Sequence, residues 1–175
     1  YIRQYLESSQ WQVRFQEFDH QGVLVRNVIA SKNEFWPEVI IGTHYDTRAK
    51  SDRDENPASL NTPVTGANDG ASGTAVLLEL GRILQESNRN IWLVFFDAED
   101  QGNIDGLDWS VGARYFVNHL DSPLNSVIII DMVGDANLEI YKETNSDQYL
   151  CGQIWSTASF LDLDDYFIEQ EKYTL

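Results

Sequence analysis

Residues 38–42 read Glu38-Val-Ile-Ile-Gly42, and the chain continues as Thr43-His44-Tyr45-Asp46-Thr47. The first of these stretches is short, β-branched and apolar on both faces, which is typical of a central strand in a sheet that is covered on both sides. Two more runs of this kind follow it, Ile91-Trp-Leu-Val-Phe-Phe96 and Val127-Ile-Ile-Ile130. The sequence therefore predicts three central strands.

Helical patterns separate these strands. Apolar residues recur at intervals of three and four around Leu77–Leu84 and again around Ala113–Leu120, as they do on the buried face of a helix. Strands that alternate with helices pair in parallel. We therefore expect an α/β fold with a central, mostly parallel, twisted sheet and helices on both of its faces.

The flanking segments extend this arrangement. Apolar residues at helical spacing predict a helix around 2–6, and period-2 alternation predicts two strands, at 11–18 and 23–30. A further strand around 138–141 and a helix around 148–160 complete the expected elements. Because 175 residues fall within the usual size of one domain, we expect residues 1–175 to form a single domain.

The composition excludes several classes of protein. With 42% hydrophobic and 12% aromatic residues, the chain has ample material for a core, which excludes intrinsic disorder. Its 28 acidic and 12 basic residues give a net charge of −16, and this charge disfavours nucleic acid and anionic lipid as partners. No apolar run approaches the ~20 residues that cross a bilayer. We expect no nucleic acid partner and no membrane insertion.

Potential metal ligands follow each central strand, and a glycine-rich segment before the first predicted helix supplies one more: His44, Asp46, Glu99, Asp100, Asp131 and Asp69. Ligands of open α/β sheets bind outside the carboxyl ends of the strands. We therefore expect these side chains to converge at one rim of the sheet.

Such a group of acids is costly without a cation, because neighbouring carboxylates raise one another's pKa. Carboxylates with an imidazole and no thiolate suit a catalytic zinc site that keeps one position open. His44 and Asp46 point the same way in an extended segment, so Asp46 is either a ligand or the partner that orients the imidazole. Glu99 and Asp100 are adjacent and point differently, so one can hold metal while the other moves protons.

Other residues have plainer interpretations. An isolated Asp or His at a strand end is usually a turn residue or a hydrogen-bonded structural residue, and it is the coincidence at three strand ends that favours a metal site. We interpret His20 and His119 as structural and 52–55 as a solvated loop. Trp109 is either a packing residue or the aromatic wall of a pocket.

Several ordered blocks resemble one known family: Ile41-Gly-Thr-His-Tyr-Asp-Thr47, Gly66-Ala-Asn-Asp-Gly-Ala-Ser-Gly73, Phe95-Phe-Asp-Ala-Glu-Asp100, Gly112-Ala-Arg-Tyr-Phe116 and Ile130-Asp-Met-Val-Gly134. In this order and spacing they resemble the zinc aminopeptidase family, which also contains the animal and bacterial glutaminyl cyclases. The resemblance covers most of the chain and is weak before Asn27 and after Tyr141. It implies a zinc exopeptidase-like fold and a peptide or protein N-terminus as substrate.

The resemblance also implies roles for single residues. Asp69 and Asp100 bind zinc, Glu99 transfers protons, and a cis peptide bond joins Asp69 to Gly70.

A second set of roles differs between the two branches of this family. His44 and Asp131 bind a second zinc in the aminopeptidases. In the cyclases, which hold one zinc, Asp131 instead forms hydrogen bonds within the reaction centre. Asp46 does not bind the metal and instead orients the imidazole of His44.

The segment after Asp100 bears on the choice of branch. Eleven residues, 101–111, separate Asp100 from Gly112 and include Trp109, whereas the resembling aminopeptidases have a short glycine-rich link and the cyclases a longer segment that carries a Trp. We therefore favour a glutaminyl cyclase, which forms pyroglutamate and releases ammonia. The alternative is an aminopeptidase that hydrolyses N-terminal residues, and a further alternative is an inactive family member used for binding.

One departure from the family matters. The family supplies a further metal-binding His far downstream, and no His follows Asp131 here. Because Tyr1 also belongs already to an apparent helix, we expect an incomplete catalytic domain, truncated at both ends, that binds zinc poorly and is inactive alone. The lone Cys151 leaves the compartment open, and exported family members favour a secreted or periplasmic protein.

Overall fold

The computed structural model describes residues 1–173. Its elements are α1 (Ile2–Ser8), β1 (Gln12–His20), β2 (Val23–Ser31), β3 (Val39–His44), α2 (Ala71–Ile83), β4 (Ile91–Phe96), α3 (Val111–Asn118), β5 (Val127–Ile129), β6 (Ile140–Glu143), α4 (Gln148–Phe160) and β7 (Phe167–Lys172). No helix in this range is both long and apolar enough to cross a bilayer. The α/β prediction is confirmed.

The chain divides into two compact units, Tyr1–Met132 and a smaller one that begins at Val133. The first unit holds a five-stranded sheet in the order β1-β2-β4-β3-β5. Within it β3 pairs in parallel with β4 on one side and with β5 on the other. The single domain expected over residues 1–175 stays a prediction.

The sheet is mixed, whereas the sequence predicted a mostly parallel one. β1 pairs antiparallel with β2, and β2 pairs antiparallel with β4. The pairing of β1 with β2 follows from their connection, which consists of Gln21 and Gly22 with φ of 55° and 83°. Two residues can join only antiparallel neighbours, and positive φ at both is typical of a tight hairpin turn.

Two apolar layers cover the two faces of this sheet. Along β4, Leu93 and Phe95 pack with Leu77 of α2 on one face, and Val94 packs with Phe116 of α3 on the other. The connection from β3 therefore leads to a helix on one face and the connection from β4 to a helix on the opposite face. In such a sheet the carboxyl ends of the two strands border a crevice, which is where ligands bind.

The second unit contains a two-stranded parallel sheet, β6 with β7, and α4. Trp155 of α4 packs edge-on against Phe167, with ring centroids 5.5 Å apart, and its Nε1 donates to the carbonyl of Ile168 at 2.9 Å. The range of α4 matches the predicted helix, and β6 begins two residues after the predicted strand at 138. β7 was not predicted, because Phe-Ile-Glu-Gln-Glu-Lys does not alternate.

Candidate metal centre

His44 is the last residue of β3, and its side chain is 2% exposed. Its Nε2 lies 2.9 Å from Asp69 Oδ1 and 3.3 Å from Asp131 Oδ1. Asp69 comes from the loop just before α2, and the pairing of β5 with β3 brings Asp131 alongside. One ligand atom of each of the three residues lies within 4.8 Å of the others.

This group of three residues fits a divalent cation. The Asp69 and Asp131 side chains are 38% and 50% exposed, so the group is open to solvent on the carboxylate side. Burial lowers the pKa of His44, but hydrogen bonds and charge from Asp131 and Asp46 outweigh burial and raise the pKa to about 11. The surroundings of the imidazole therefore favour positive charge. An imidazole with two carboxylates is a donor set that suits zinc.

Asp46 connects His44 to the turn after β4. Its Oδ1 lies 3.5 Å from His44 Nδ1, which is a buried atom. The same carboxylate accepts from the backbone N–H of Glu99 at 2.9 Å, from that of Asp100 at 3.2 Å and from Gln101 Nε2 at 2.9 Å. Burial raises the pKa of Asp46, but the contact with His44 and these hydrogen bonds together bring it below its ordinary value. A charged Asp46 thus fixes both the imidazole and the turn.

Glu99 lies in that turn, half-buried. Ser110 Oγ donates to Glu99 Oε1 at 2.9 Å, and the Ser110 N–H donates to the Glu99 carbonyl at 3.0 Å. Burial raises the pKa of Glu99, the charges of Asp46 and Asp131 raise it further, and Ser110 and His44 oppose the rise. A carboxyl group in such surroundings takes up and gives up a proton closer to neutral pH, as a general acid or base must.

Asp100 is buried, and among the described residues it is not one of the three at mutual ligand distance. Arg48 Nη1 donates to Asp100 Oδ1 at 3.3 Å. Burial and the charge of Asp69 raise the pKa of Asp100, and the charge of Arg48 opposes them. The structure therefore brings His44, Asp69 and Asp131 together and holds Asp100 on an arginine, with Asp69 close enough to act on it electrostatically.

Trp109 is packed against Gly102 and is partly exposed. A Cβ placed on Gly102 would lie 2.1 Å from Trp109 Cδ2, so the indole packs directly on that glycine. The residue is nevertheless 37% exposed, and Ser110, which binds Glu99, follows it. The indole is thus packed on one side and open to solvent on another.

Strained backbone accompanies two of the candidate acids. Ala98, which precedes Glu99, has φ of 51°, and Met132, which follows Asp131, has φ of 48°. Side chains with a Cβ rarely adopt this left-handed region, and such residues cluster at functional sites.

Gly70, which follows Asp69, also has a positive φ. It has φ of 87°, and a Cβ there would lie 2.6 Å from the Asp46 carbonyl oxygen and 3.3 Å from His44 Cε1. Only glycine lets the chain pass so close to the imidazole. The Asp69–Gly70 bond is trans, since residues 1–173 contain no cis peptide bond, whereas the resemblance implied a cis one.

Sequence reasoning missed three residues of this site: Arg48, Gln101 and Ser110. Arg48 pairs with Asp52 through Nε at 2.6 Å and Nη2 at 2.8 Å, so Asp52 is not simply part of a solvated loop. No local pattern marks these residues as part of a site, because the contacts that place Arg48 and Gln101 there, with Asp100 and Asp46, span more than 50 positions.

The other two histidines lie elsewhere. His119 Nδ1 lies 2.8 Å from the Tyr115 carbonyl, and the His119 ring stacks on the Tyr115 ring with centroids 3.8 Å apart. His20 is the last residue of β1 and pairs with Val23.

The chain is similar to known proteins in both sequence and structure. Residues 26–169 match the model of Peptidase family M28. The chain is 33% identical to Porphyromonas gingivalis glutaminyl cyclase, with a TM-score of 0.89 over 99% of this chain and 66% of that one. It is 29% identical to a Zn-dependent exopeptidase from Parabacteroides distasonis, with a TM-score of 0.88 over 100% of this chain and 67% of that one.

The chain is also similar in sequence to a curated protein. The chain is 31% identical over 137 residues to the uncharacterized protein YfbL of Escherichia coli (strain K12), which covers 77% of this chain and 40% of YfbL. The chain thus spans less than half the length of that relative. Because the family match includes most of the chain and every candidate ligand, this protein belongs to peptidase family M28.

Proposed function

We propose that the whole protein is a zinc-dependent enzyme acting on peptide N-termini, and that it converts an N-terminal glutamine to pyroglutamate with release of ammonia. The observation that carries this proposal is the hydrogen bond from Ser110 to Glu99, because it fastens the Trp109 segment beside the candidate proton carrier. The resembling cyclases carry a Trp in this segment, and a solved glutaminyl cyclase is among the similar structures.

Asp69 and Asp100 are the residues that we propose to hold zinc. The Asp69 carboxylate lies 2.9 Å from the imidazole of His44 and acts through its charge on Asp100, so it borders both parts of the site. A zinc ion held by these residues would supply Lewis-acid polarisation of the side-chain amide of the substrate.

Glu99 is the proposed proton carrier. The substrate α-amine forms a bond to the carbon of the side-chain amide, and the bond from that carbon to the amide nitrogen breaks. Glu99 accepts a proton from the attacking amine and passes it to the departing nitrogen, which leaves as ammonia. Ser110 holds one oxygen of Glu99, so the other remains for this transfer.

Asp131 is the second proposed catalytic residue. Half of its side chain is exposed, and one oxygen faces His44 at 3.3 Å. The exposed part is available to accept a hydrogen bond from the substrate and to attract its cationic α-amine, as does the net charge of −16.

Aminopeptidase activity is the second candidate, and the three-residue group favours it. His44, Asp69 and Asp131 lie at mutual ligand distance, and by resemblance His44 and Asp131 would hold a second zinc. Glu99 would then act as general base for hydrolysis of the first peptide bond. The third candidate is a family member without activity that binds peptides.

The test measures metal content and ammonia release from a glutaminyl peptide, using the whole protein and its Glu99→Gln variant. We expect one zinc per protein and a 10²- to 10⁴-fold fall of kcat in Glu99→Gln, the usual contribution of a general acid or base. Zinc content should not change, because Glu99 is not a proposed ligand. Glu34→Gln is the matched control, since Glu34 is exposed and precedes β3 at the opposite end from His44.

Other outcomes would support one of the alternative functions or overturn the proposal. Two metals, no ammonia, and free amino acids released from peptide N-termini would establish the aminopeptidase. Bound zinc without either product would support the third candidate, a family member that binds peptides without activity. Absence of zinc would overturn the proposal. Export of the protein is inferred from the resemblance alone, and cell fractionation tests it.

A further inference from the structure

Arg48 is a buried arginine, 8% exposed, in the long connection between β3 and α2. All five of its N–H donors are used. Nε and Nη2 bind the carboxylate of Asp52 at 2.6 Å and 2.8 Å, and Nη2 also donates to the Gly102 carbonyl at 3.2 Å. Nη1 donates to the carbonyl of Asp100 at 2.9 Å and to its Oδ1 at 3.3 Å. A guanidinium with every donor satisfied has one orientation.

This arrangement determines how Asp100 presents its carboxylate. Arg48 binds the backbone carbonyl and one side-chain oxygen of the same residue, so the rotation of the side chain is restrained at both ends. Oδ1 is the oxygen that Arg48 holds, and Oδ2 remains for another partner. A carboxylate held in this way is pre-organised to give a single oxygen to a cation.

Arg48 also supports Trp109. The centre of the guanidinium lies 5.0 Å from the centroid of the indole, within the range of a cation–π contact. The same guanidinium binds the carbonyl of Gly102, on which the indole packs. One side chain thus holds both Asp100 and the aromatic ring of the Trp-bearing segment.

We propose that Arg48 is a positioning residue of the metal centre, which fixes Asp100 as a ligand through Oδ2 and holds Trp109 at the site. The proposal rests on the proposed function, since it takes Asp100 to be a zinc ligand. Lysine cannot replace Arg48, because an ammonium has three hydrogen-bond donors where a guanidinium has five. It also has no planar group that could lie over the indole.

The test compares the zinc Kd of the whole protein with that of Arg48→Lys, by competition with a chromophoric chelator. Loss of a residue that orients a ligand costs 10- to 100-fold in metal affinity, and we expect a rise in Kd of this size. Arg82→Lys is the matched control, because Arg82 lies on the exposed face of α2 in a pair with Glu79, and its Kd should equal that of the wild type. Circular dichroism establishes that each variant is folded.

A merely structural arginine would give a lower Tm in Arg48→Lys and an unchanged Kd in the folded protein, and this result would overturn the proposal. Should Arg48→Lys not fold, Asp52→Asn loosens the guanidinium without touching Asp100, and a smaller rise in Kd is expected there. An unchanged Kd in folded Asp52→Asn would then overturn it. Ammonia release is a separate readout: a wild type that binds zinc but makes no pyroglutamate contradicts the cyclase and leaves the Kd comparison intact.

Discussion

At the scale of single residues, Asp46 joins the imidazole of His44 to the turn that carries Glu99 and Asp100. We predict that Asp46→Asn raises the zinc Kd 10- to 100-fold and lowers the free energy of unfolding by about 1–3 kcal/mol. The reason is that an amide NH₂ would replace one carboxylate oxygen and face the N–H donors of Glu99, Asp100 or Gln101. Chelator competition and urea unfolding measure the two quantities.

Asp121→Asn serves as the control for this variant. Asp121 is exposed in the connection between α3 and β5, so both quantities should match the wild type. If Asp46→Asn bound zinc as tightly as the wild type, Asp46 would not orient His44.

The signal that marks the candidate acids in the sequence is local. Most of them follow an apolar run, as Asp131 follows Val127–Ile129, and Asp69 lies in a glycine-rich segment before a helix. Strand ends are where α/β proteins bind ligands. Arg48 and Gln101 could not be predicted, because the contacts that bring them to the site lie far along the chain. Arg48 reaches Asp100 across 52 positions, and a polar residue in a loop is normally exposed.

At the scale of elements, the close approach of α2 to β3 depends on one glycine. A Cβ on Gly73 would lie 2.2 Å from Thr43 Oγ1 and 2.7 Å from the Ile130 carbonyl oxygen. We predict that Gly73→Ala lowers the free energy of unfolding by about 1–3 kcal/mol, the usual cost of overpacking. Urea unfolding measures this change.

Gly152→Ala is the matched control. Gly152 also lies in a helix, α4, but a Cβ there would have nothing within 4 Å. Alanine favours a helix over glycine by about 0.5–1 kcal/mol, so this variant should be more stable than the wild type. A Gly73→Ala protein that gained as much stability as Gly152→Ala would show that α2 has room to move away from β3.

The elements that could be predicted are those with a local apolar pattern. The strand at 91–96, an unbroken apolar run, and the helix at 148–160 match the structure. β7 could not be predicted, because only Phe167 and Ile168 are apolar in it and it is paired by a bulged register with β6. Strand pairing of this kind is set by tertiary context.

At the scale of the whole molecule, charge is the dominant property. A net charge of −16 makes the folded chain repel itself, and salt screens this repulsion over about 10 Å at 0.1 M. We predict that the Tm rises as NaCl increases from about 10 mM to about 0.5 M, within the range in which screening dominates. Differential scanning calorimetry measures it, and a Tm that stays constant or falls would mean that ion pairs such as that of Arg48 with Asp52 outweigh the repulsion.

The hydrogen bonds that Asp46 accepts have a consequence for exchange with deuterium. The amides of Glu99 and Asp100 lie in a turn, where amide hydrogens normally exchange quickly. Both are bound to a carboxylate that is itself buried, so they exchange only when Asp46 swings away and gives up its contact with His44. The uptake of deuterium at these two positions therefore measures how often the metal centre opens, in the absence of substrate and without any turnover.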